Sequence, residues 1–218
     1  MKRCFLFDLD GTVADNGEGI LKSAQYALDF FGIHQEAEEK LRRFVGPPLD
    51  QSFRELYGFS QEQAWQAVEK YRERYAVKGV YENKLYPGIR ELLEHLAGRG
   101  RQCLATSKPE VFARKILEMQ DVLPLFDVVV GAQLDGTRTD KAEVIREVLK
   151  QLGNPPLEQV VMIGDRKHDI LGAKAVGVAC IGVEYGFAPP GELASAGADW
   201  IVPTVGELDR LCQSLLES

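Results

Sequence analysis

From residue 86 to the end, short apolar runs alternate with amphipathic stretches, and no other feature of the chain narrows its possible folds as far. Runs at Gln102–Thr106, Phe126–Val130, Val160–Ile163, Ala179–Val183 and Trp200–Val202 have the length and composition of strands. Helical patterns separate them: 89–97, Pro109 to about Met119, 141–152, Asp169 to about Val176, and 204–217. Asp140 and Glu143 mark one helix start, and Pro109 opens another. Such alternation builds a parallel sheet with crossover helices.

One further strand, Cys4–Phe7, stands at the start of the chain. The residues that follow cannot pair with it, because 16–80 read as helices. Ile20, Leu21, Ala24, Leu28 and Phe31 share a face over 18–31, and 36–45 is also helical. Gly46-Pro47-Pro48 breaks the chain before helix Leu49–Tyr57, and a Ser60/Gln63 capping box starts a long helix over roughly 61–77. The economical solution sends Cys4–Phe7 into the later sheet. The expected fold is α/β: a Rossmann-like parallel sheet with helices on both faces, built from 1–15 and 83–218. A small all-helical cap domain, 16–82, is inserted after the first strand. Its two chain crossings, near 15 and 82–87, would act as hinges of a lid.

The net charge of −7, with no basic run to offset it, argues against nucleic acid or an anionic membrane as partner. The four cysteines, Cys4, Cys103, Cys180 and Cys212, are scattered, and three lie in apolar runs. That pattern suits reduced thiols in the cytoplasm, not a disulfide framework or a zinc site. The apolar run of MKRCFLFDLD is too short for a signal peptide, and no stretch is long enough to span a membrane.

Chemistry concentrates where strands end. Asp8 and Asp10 follow the first strand, Thr106-Ser107-Lys108 the second, and Asp165 with Asp169 the strand 160–163. Lys141 opens the helix after 126–130. Parallel strands bring their carboxyl ends to one edge of the sheet, where ligands of α/β folds bind. Converging carboxylates repel unless a hard cation joins them, and oxygen-only ligation points to Mg²⁺. Lysine and a threonine hydroxyl then suit a tetrahedral oxyanion, phosphate.

Together FDLDGT, ATSKP, Lys141 and GDRKHD resemble the four signatures of the haloacid dehalogenase superfamily, in order and over nearly the whole chain. The helical insertion resembles the cap of its phosphoglycolate phosphatase-like branch. The resemblance implies Asp8 as nucleophile, Asp10 as acid and then base, and Lys141 as the residue neutralising transition-state charge. It implies phosphate binding by Gly11, Thr12, Thr106, Ser107 and Lys108. Mg²⁺ would sit on Asp8, the main-chain carbonyl of Asp10, Asp165 and Asp169, the last directly or through water. Dehalogenases and phosphonatases lack an aspartate at the position matched by Asp10, so hydrolysis of a phosphate ester or a phosphomutase reaction is expected.

The expected substrate is a small phosphorylated metabolite, phosphoglycolate first, with a nucleoside 5′-monophosphate or a range of sugar phosphates as the alternative. Phosphomutase activity is disfavoured, because Ile20 stands where related mutases carry a cap histidine. The intact set Asp8, Asp10, Thr106, Lys141 and Asp165 argues against a non-catalytic binding protein. A monomer or homodimer is expected. Arg42, Arg43, Phe44 and Arg54 are candidates for substrate selection, whereas Phe44, Phe53, Tyr57, Trp65, Tyr71 and Tyr75 read as cap core. Asp135-Gly136-Thr137 reads as a turn, Arg138 as a solvated loop residue, and His34, His95 and His168 as surface positions.

Overall fold

The computed structural model describes residues 3–217, and the chain divides into two compact units, Met1–Asp15 with Leu85–Ser218, and Asn16–Lys84. The chain leaves the first unit after β1 (Cys4–Phe7) and β2 (Ala14–Asp15). The second unit holds α1 (Gly17–Phe30), α2 (Glu38–Arg42), α3 (Leu49–Tyr57) and α4 (Gln61–Val77), after which β3 (Lys84–Leu85) leads back. The rest runs α5 (Ile89–Leu96), β4 (Arg101–Pro109), α6 (Glu110–Met119), β5 (Val128–Ala132), α7 (Lys141–Gln151), β6 (Val160–Gly164) and α8 (Lys167–Val176). It ends with β7 (Ala179–Val183), α9 (Glu192–Ala196), β8 (Trp200–Val202) and α10 (Val205–Glu217).

Six strands form one parallel sheet in the order β5-β4-β1-β6-β7-β8. The order reverses around β1, the kind of switch point where α/β folds open a crevice. Phe7 pairs with Leu104 on one side and Ile163 on the other, so β1 and β6 end level and Asp8 leaves the sheet between them. Side chains alternate along β1. Cys4 and Leu6 join the core that also holds Val144, Ile145 and Val148 of α7 and Ile170 of α8. Phe7 points the other way, edge-on to Phe126 at 6.3 Å between ring centroids. Asp8, two residues beyond Leu6, is thereby aimed at the first turns of α7 and α8.

Some boundaries differ from the sequence reading. β4 runs on to Pro109, with its pairing to β5 irregular between Ala105 and Pro109. β5 begins at Val128 because Phe126 and Asp127 serve as its entry: Asp127 N donates to Gln102 O at 2.7 Å, and the Asp127 carboxylate accepts from Gln102 N at 2.9 Å. α8 starts at Lys167, which places Asp169 inside its first turn.

In the helical unit, α4 begins with the expected reciprocal cap: Gln63 N donates to Ser60 Oγ (3.2 Å) and Ser60 N to Gln63 Oε1 (2.9 Å). Only Glu38–Arg42 of the expected helix 36–45 is helical. Phe44 and Phe53 are buried with ring centroids 4.8 Å apart, and Tyr71 stacks on Tyr75 at 5.3 Å. Trp65 is exposed and does not join this core. All four cysteines are buried free thiols. No helix among the described residues is long and apolar enough to cross a membrane.

Candidate active site

Three elements deliver three carboxylates to one point. Asp8 directly follows β1, Asp165 directly follows β6, and Asp169 lies in the first turn of α8; one oxygen from each falls within 4.8 Å of the others, and all three residues are buried. Small neighbours make this crowding possible. A Cβ on Gly164 would overlap the Asp169 carboxylate, and one on Gly11, where φ is +84°, would overlap that of Asp165. Gly186 presses on Asp165 from another side.

Lys141 supplies the positive charge. It is the first residue of α7, whose start is capped by Asp140 accepting from Ala142 N (2.9 Å) and Glu143 N (3.2 Å). An ammonium at a helix N-terminus opposes the helix dipole, so it needs a strong local reason to be there. That reason is Asp8 Oδ1 at 2.9 Å and Asp169 Oδ1 at 2.7 Å. The directed hydrogen bond of Nζ goes to Ala105 O at 3.0 Å, however. Asp8 and Asp169 are both buried, and their Oδ1 atoms share this one ammonium.

The charge balance is therefore incomplete. Burial, then the charges of Asp169 and Asp8, push the Asp165 carboxyl well above the usual carboxylate range. Burial pushes Asp169 up to about 6, with Lys141 opposing. Burial acts to lower Lys141, but Asp169 and Asp8 outweigh it and its ammonium is held above its ordinary value. Three buried carboxylates with one ammonium against two of them leave an excess of oxygen donors and negative charge that fits a hard divalent cation.

Asp10 stands apart from this cluster. Lys108 Nζ grips it, at 2.9 Å from Oδ1 and 2.8 Å from Oδ2. Thr106 Oγ1 accepts from Lys108 N at 3.3 Å, which leaves the buried hydroxyl proton available to an anion. Ser107 is half-buried.

Several sequence expectations need correction. The amide groups of Gly11 and Thr12 are not presented to a phosphate. Gly11 N donates to Ala14 O (2.9 Å) and Thr12 N to Leu9 O (3.3 Å), because the turn closes on itself. Thr12 Oγ1 faces Asp165 Oδ1 at 3.5 Å. Lys108 Nζ meets both oxygens of the Asp10 carboxylate. Phe44 is buried in the helical unit and offers no side-chain surface to a ligand. Arg42 is exposed and paired with Glu38 (2.8 Å), Arg54 donates to Gln61 (2.7 Å), and Arg43 is exposed. Arg138 is no solvated loop residue, since Nε donates to Gly131 O at 2.8 Å and the guanidinium reaches Glu110 at 3.2 Å. His168 is half-buried, and burial followed by the Arg166 and Lys167 charges lowers its pKa.

The sequence reading misses the shell around Asp165. Phe187 N donates to Asp165 Oδ2 at 2.8 Å, and Tyr185 Oη donates to Thr12 O at 3.0 Å, both from the loop after β7. Glu192 of α9 holds the loop after β6 by accepting from Arg166 Nε (2.8 Å) and Lys167 N (3.0 Å).

A family model described as haloacid dehalogenase-like hydrolase matches residues 5–183. The chain belongs to that family. Among the relatives of this haloacid dehalogenase-like hydrolase, a protein named 5′-nucleotidase from Pseudomonas aeruginosa is 52% identical over 189 residues, covering 86% of this chain and 85% of that one. A phosphoglycolate phosphatase of Vibrio parahaemolyticus is 28% identical over 211 residues, covering 93% and 92%. The crystal structure of a predicted phosphatase from Clostridium acetobutylicum superposes with a TM-score of 0.94 at 43% identity, covering 98% of this chain and 99% of that one.

Proposed function

We propose that this hydrolase is a Mg²⁺-dependent phosphomonoesterase that works through an aspartyl-phosphate on Asp8. The observation that carries the reading is the buried Asp8, Asp165 and Asp169 cluster with Lys141 against two of its members. An Asp8 oxygen attacks phosphorus, and the ester oxygen leaves with a proton from Asp10. Asp10 then takes a proton from water, whose oxygen attacks the same phosphorus and frees Asp8 and inorganic phosphate. Lys141 offsets charge gathering on the transferring group, and the Thr106 hydroxyl donates to one of its oxygens. Asp8, Asp165, Asp169 and the Asp10 carbonyl would hold Mg²⁺, which when bound supplies charge neutralisation at the phosphoryl oxygens.

The substrate we favour is a nucleoside 5′-monophosphate, supported by the name of the 52% identical relative, ahead of phosphoglycolate, supported at 28%. Ile20 is buried within α1, which gives no support to a mutase. The test is Mg²⁺-dependent phosphate release from nucleoside 5′-monophosphates, phosphoglycolate, sugar phosphates and p-nitrophenyl phosphate, ranked by kcat/KM. No release from any of them would sink the reading.

We also propose that the helical unit is a cap that selects the substrate, because every residue assigned to the chemistry lies in the other unit. Alanine at Arg42, Arg43 and Arg54 should then reorder the natural substrates, while turnover of p-nitrophenyl phosphate changes by less than about threefold. One common factor of loss across all substrates would argue for a mere cover.

Metal binding should depend on pH with a definite sign. Carboxyl groups of an unfolded chain titrate near ~3.9, whereas folded Asp169 titrates at about 6 and Asp165 well above the usual range. The metal-free folded state therefore holds extra protons across that window. The stability they give is present below the unfolded value and is lost as pH rises through the folded one. Mg²⁺ displaces these protons. The rise in Tm on adding Mg²⁺ should be larger at about pH 7.5 than at about pH 5. An equal or larger rise at the lower pH would remove these carboxylates from the metal site.

A further inference from the structure

Each of the two aspartates after β1 has its own lysine. Asp8 lies against Lys141 of α7, while Lys108, at the end of β4, sits astride both oxygens of Asp10. The side chains of Lys108 and Asp10 are only 5% and 11% exposed. A carboxylate has about four lone-pair sites, so two hydrogen bonds to one ammonium fix its tilt without using up its capacity to carry a proton.

The backbone that carries Lys108 is itself held on both sides. Lys108 N turns back to Thr106 Oγ1 at 3.3 Å. Gly131 closes on the Lys108 carbonyl so tightly that a Cβ would not fit. Glu110 fastens Gly131 by accepting from its N–H at 3.3 Å, and also accepts from Arg138 at 3.2 Å. Arg138, with φ at +55°, donates back to Gly131 O at 2.8 Å. Arg138, directly after the second Asp-Gly-Thr tripeptide, thus ties Gly131 of β5 to Glu110, the residue that follows β4.

We infer that Lys108 is a positioning residue that holds the Asp10 carboxylate for proton transfer and does not bind the phosphate. This inference rests on the phosphomonoesterase reading, in which Asp10 is the acid and base. Lys108→Met keeps the stem and removes the ammonium. The kcat for a nucleoside 5′-monophosphate should fall by about 10–100-fold, part of the ~10²–10⁴-fold that proton transfer contributes. Inhibition by inorganic phosphate should stay within about twofold, because uniform binding is untouched.

The deciding measurement is a double-mutant cycle with Asp10→Asn. A residue that acts only through Asp10 has nothing left to position in that background. Adding Lys108→Met to Asp10→Asn should therefore change kcat by less than about threefold. If Lys108→Met does not fold, Lys108→Gln takes its place in the same cycle. A phosphate affinity that drops about tenfold or more in both backgrounds would make Lys108 a phosphate ligand and overturn the inference. So would losses that simply multiply. These outcomes leave the phosphomonoesterase reading standing, whereas a wild-type protein inactive on every phosphomonoester would sink both.

Discussion

Asp8→Asn is expected to abolish turnover of every phosphomonoester, whatever the leaving group. An amide in place of the attacking carboxylate cannot form the acyl phosphate, and losing a nucleophile of this kind costs at least ~10⁴-fold. The fold should survive, because Asn is nearly isosteric and Lys141 keeps Asp169 at 2.7 Å. Removing one charge from three crowded carboxylates also relieves repulsion within the cluster. Asp10→Asn should behave differently. It removes proton transfer, worth ~10²–10⁴-fold, but p-nitrophenolate leaves with little need of a proton. Rapid-quench measurement of p-nitrophenol from Asp10→Asn should thus show a burst and then a slow steady state, since the phospho-enzyme lacks the base that activates water. Asp8→Asn should show no burst. A burst from Asp8→Asn, with deamidation excluded by mass spectrometry, would mean that another residue is the nucleophile.

Those two residues stand out in the sequence because they follow a strand whose identity needs no tertiary information, although only the polar residues after the later strands turn that position into a candidate site. Cys4–Phe7 is a continuous apolar run, and two carboxylates directly after it are costly to bury unless something binds them. Lys141 sits behind the Asp140 cap, but what singles it out from Lys108 in the sequence is the family resemblance, which puts a lysine at the start of this helix. The role of Lys108 is not legible there, because its partner is 98 residues away and only the β1–β4 register brings the two together. Spacing alone shows a lysine after a strand and not which anion it meets. The amides of Gly11 and Thr12 escape sequence reading in another way. A glycine-containing turn can aim its N–H groups outward or close on itself, and here Ala14 O and Leu9 O take them. The Tyr185–Phe187 loop gives no local signal, since Gly186 matters through the Asp165 side chain and the Gly11 carbonyl that it lets approach, both distant in sequence.

Gly11→Ala should combine a large loss of stability with a loss of metal binding, and a matched control separates the two causes. Gly11 has φ +84°, a region where a Cβ costs roughly 1–2 kcal/mol. Its new Cβ would also overlap the Asp165 carboxylate, and forced overlap in a packed interior costs about 1–3 kcal/mol more. Asp165 has little room to yield, being held by Phe187 N at 2.8 Å with Gly186 pressed against it. Gly98 has a similar φ of +77°, and a Cβ there would meet nothing within 4 Å. Gly98→Ala therefore carries the backbone strain alone and should lower Tm by about 3–6 °C with Mg²⁺ affinity unchanged. Gly11→Ala should lower Tm about twice as far and weaken Mg²⁺ binding, read by calorimetry, at least ~10-fold, because it displaces a carboxylate of the proposed metal site and not only a turn. Equal Tm losses in the two variants, with Mg²⁺ affinity intact in both, would show that Gly11 serves the turn alone and that the fit between Gly11 and Asp165 does not shape the site.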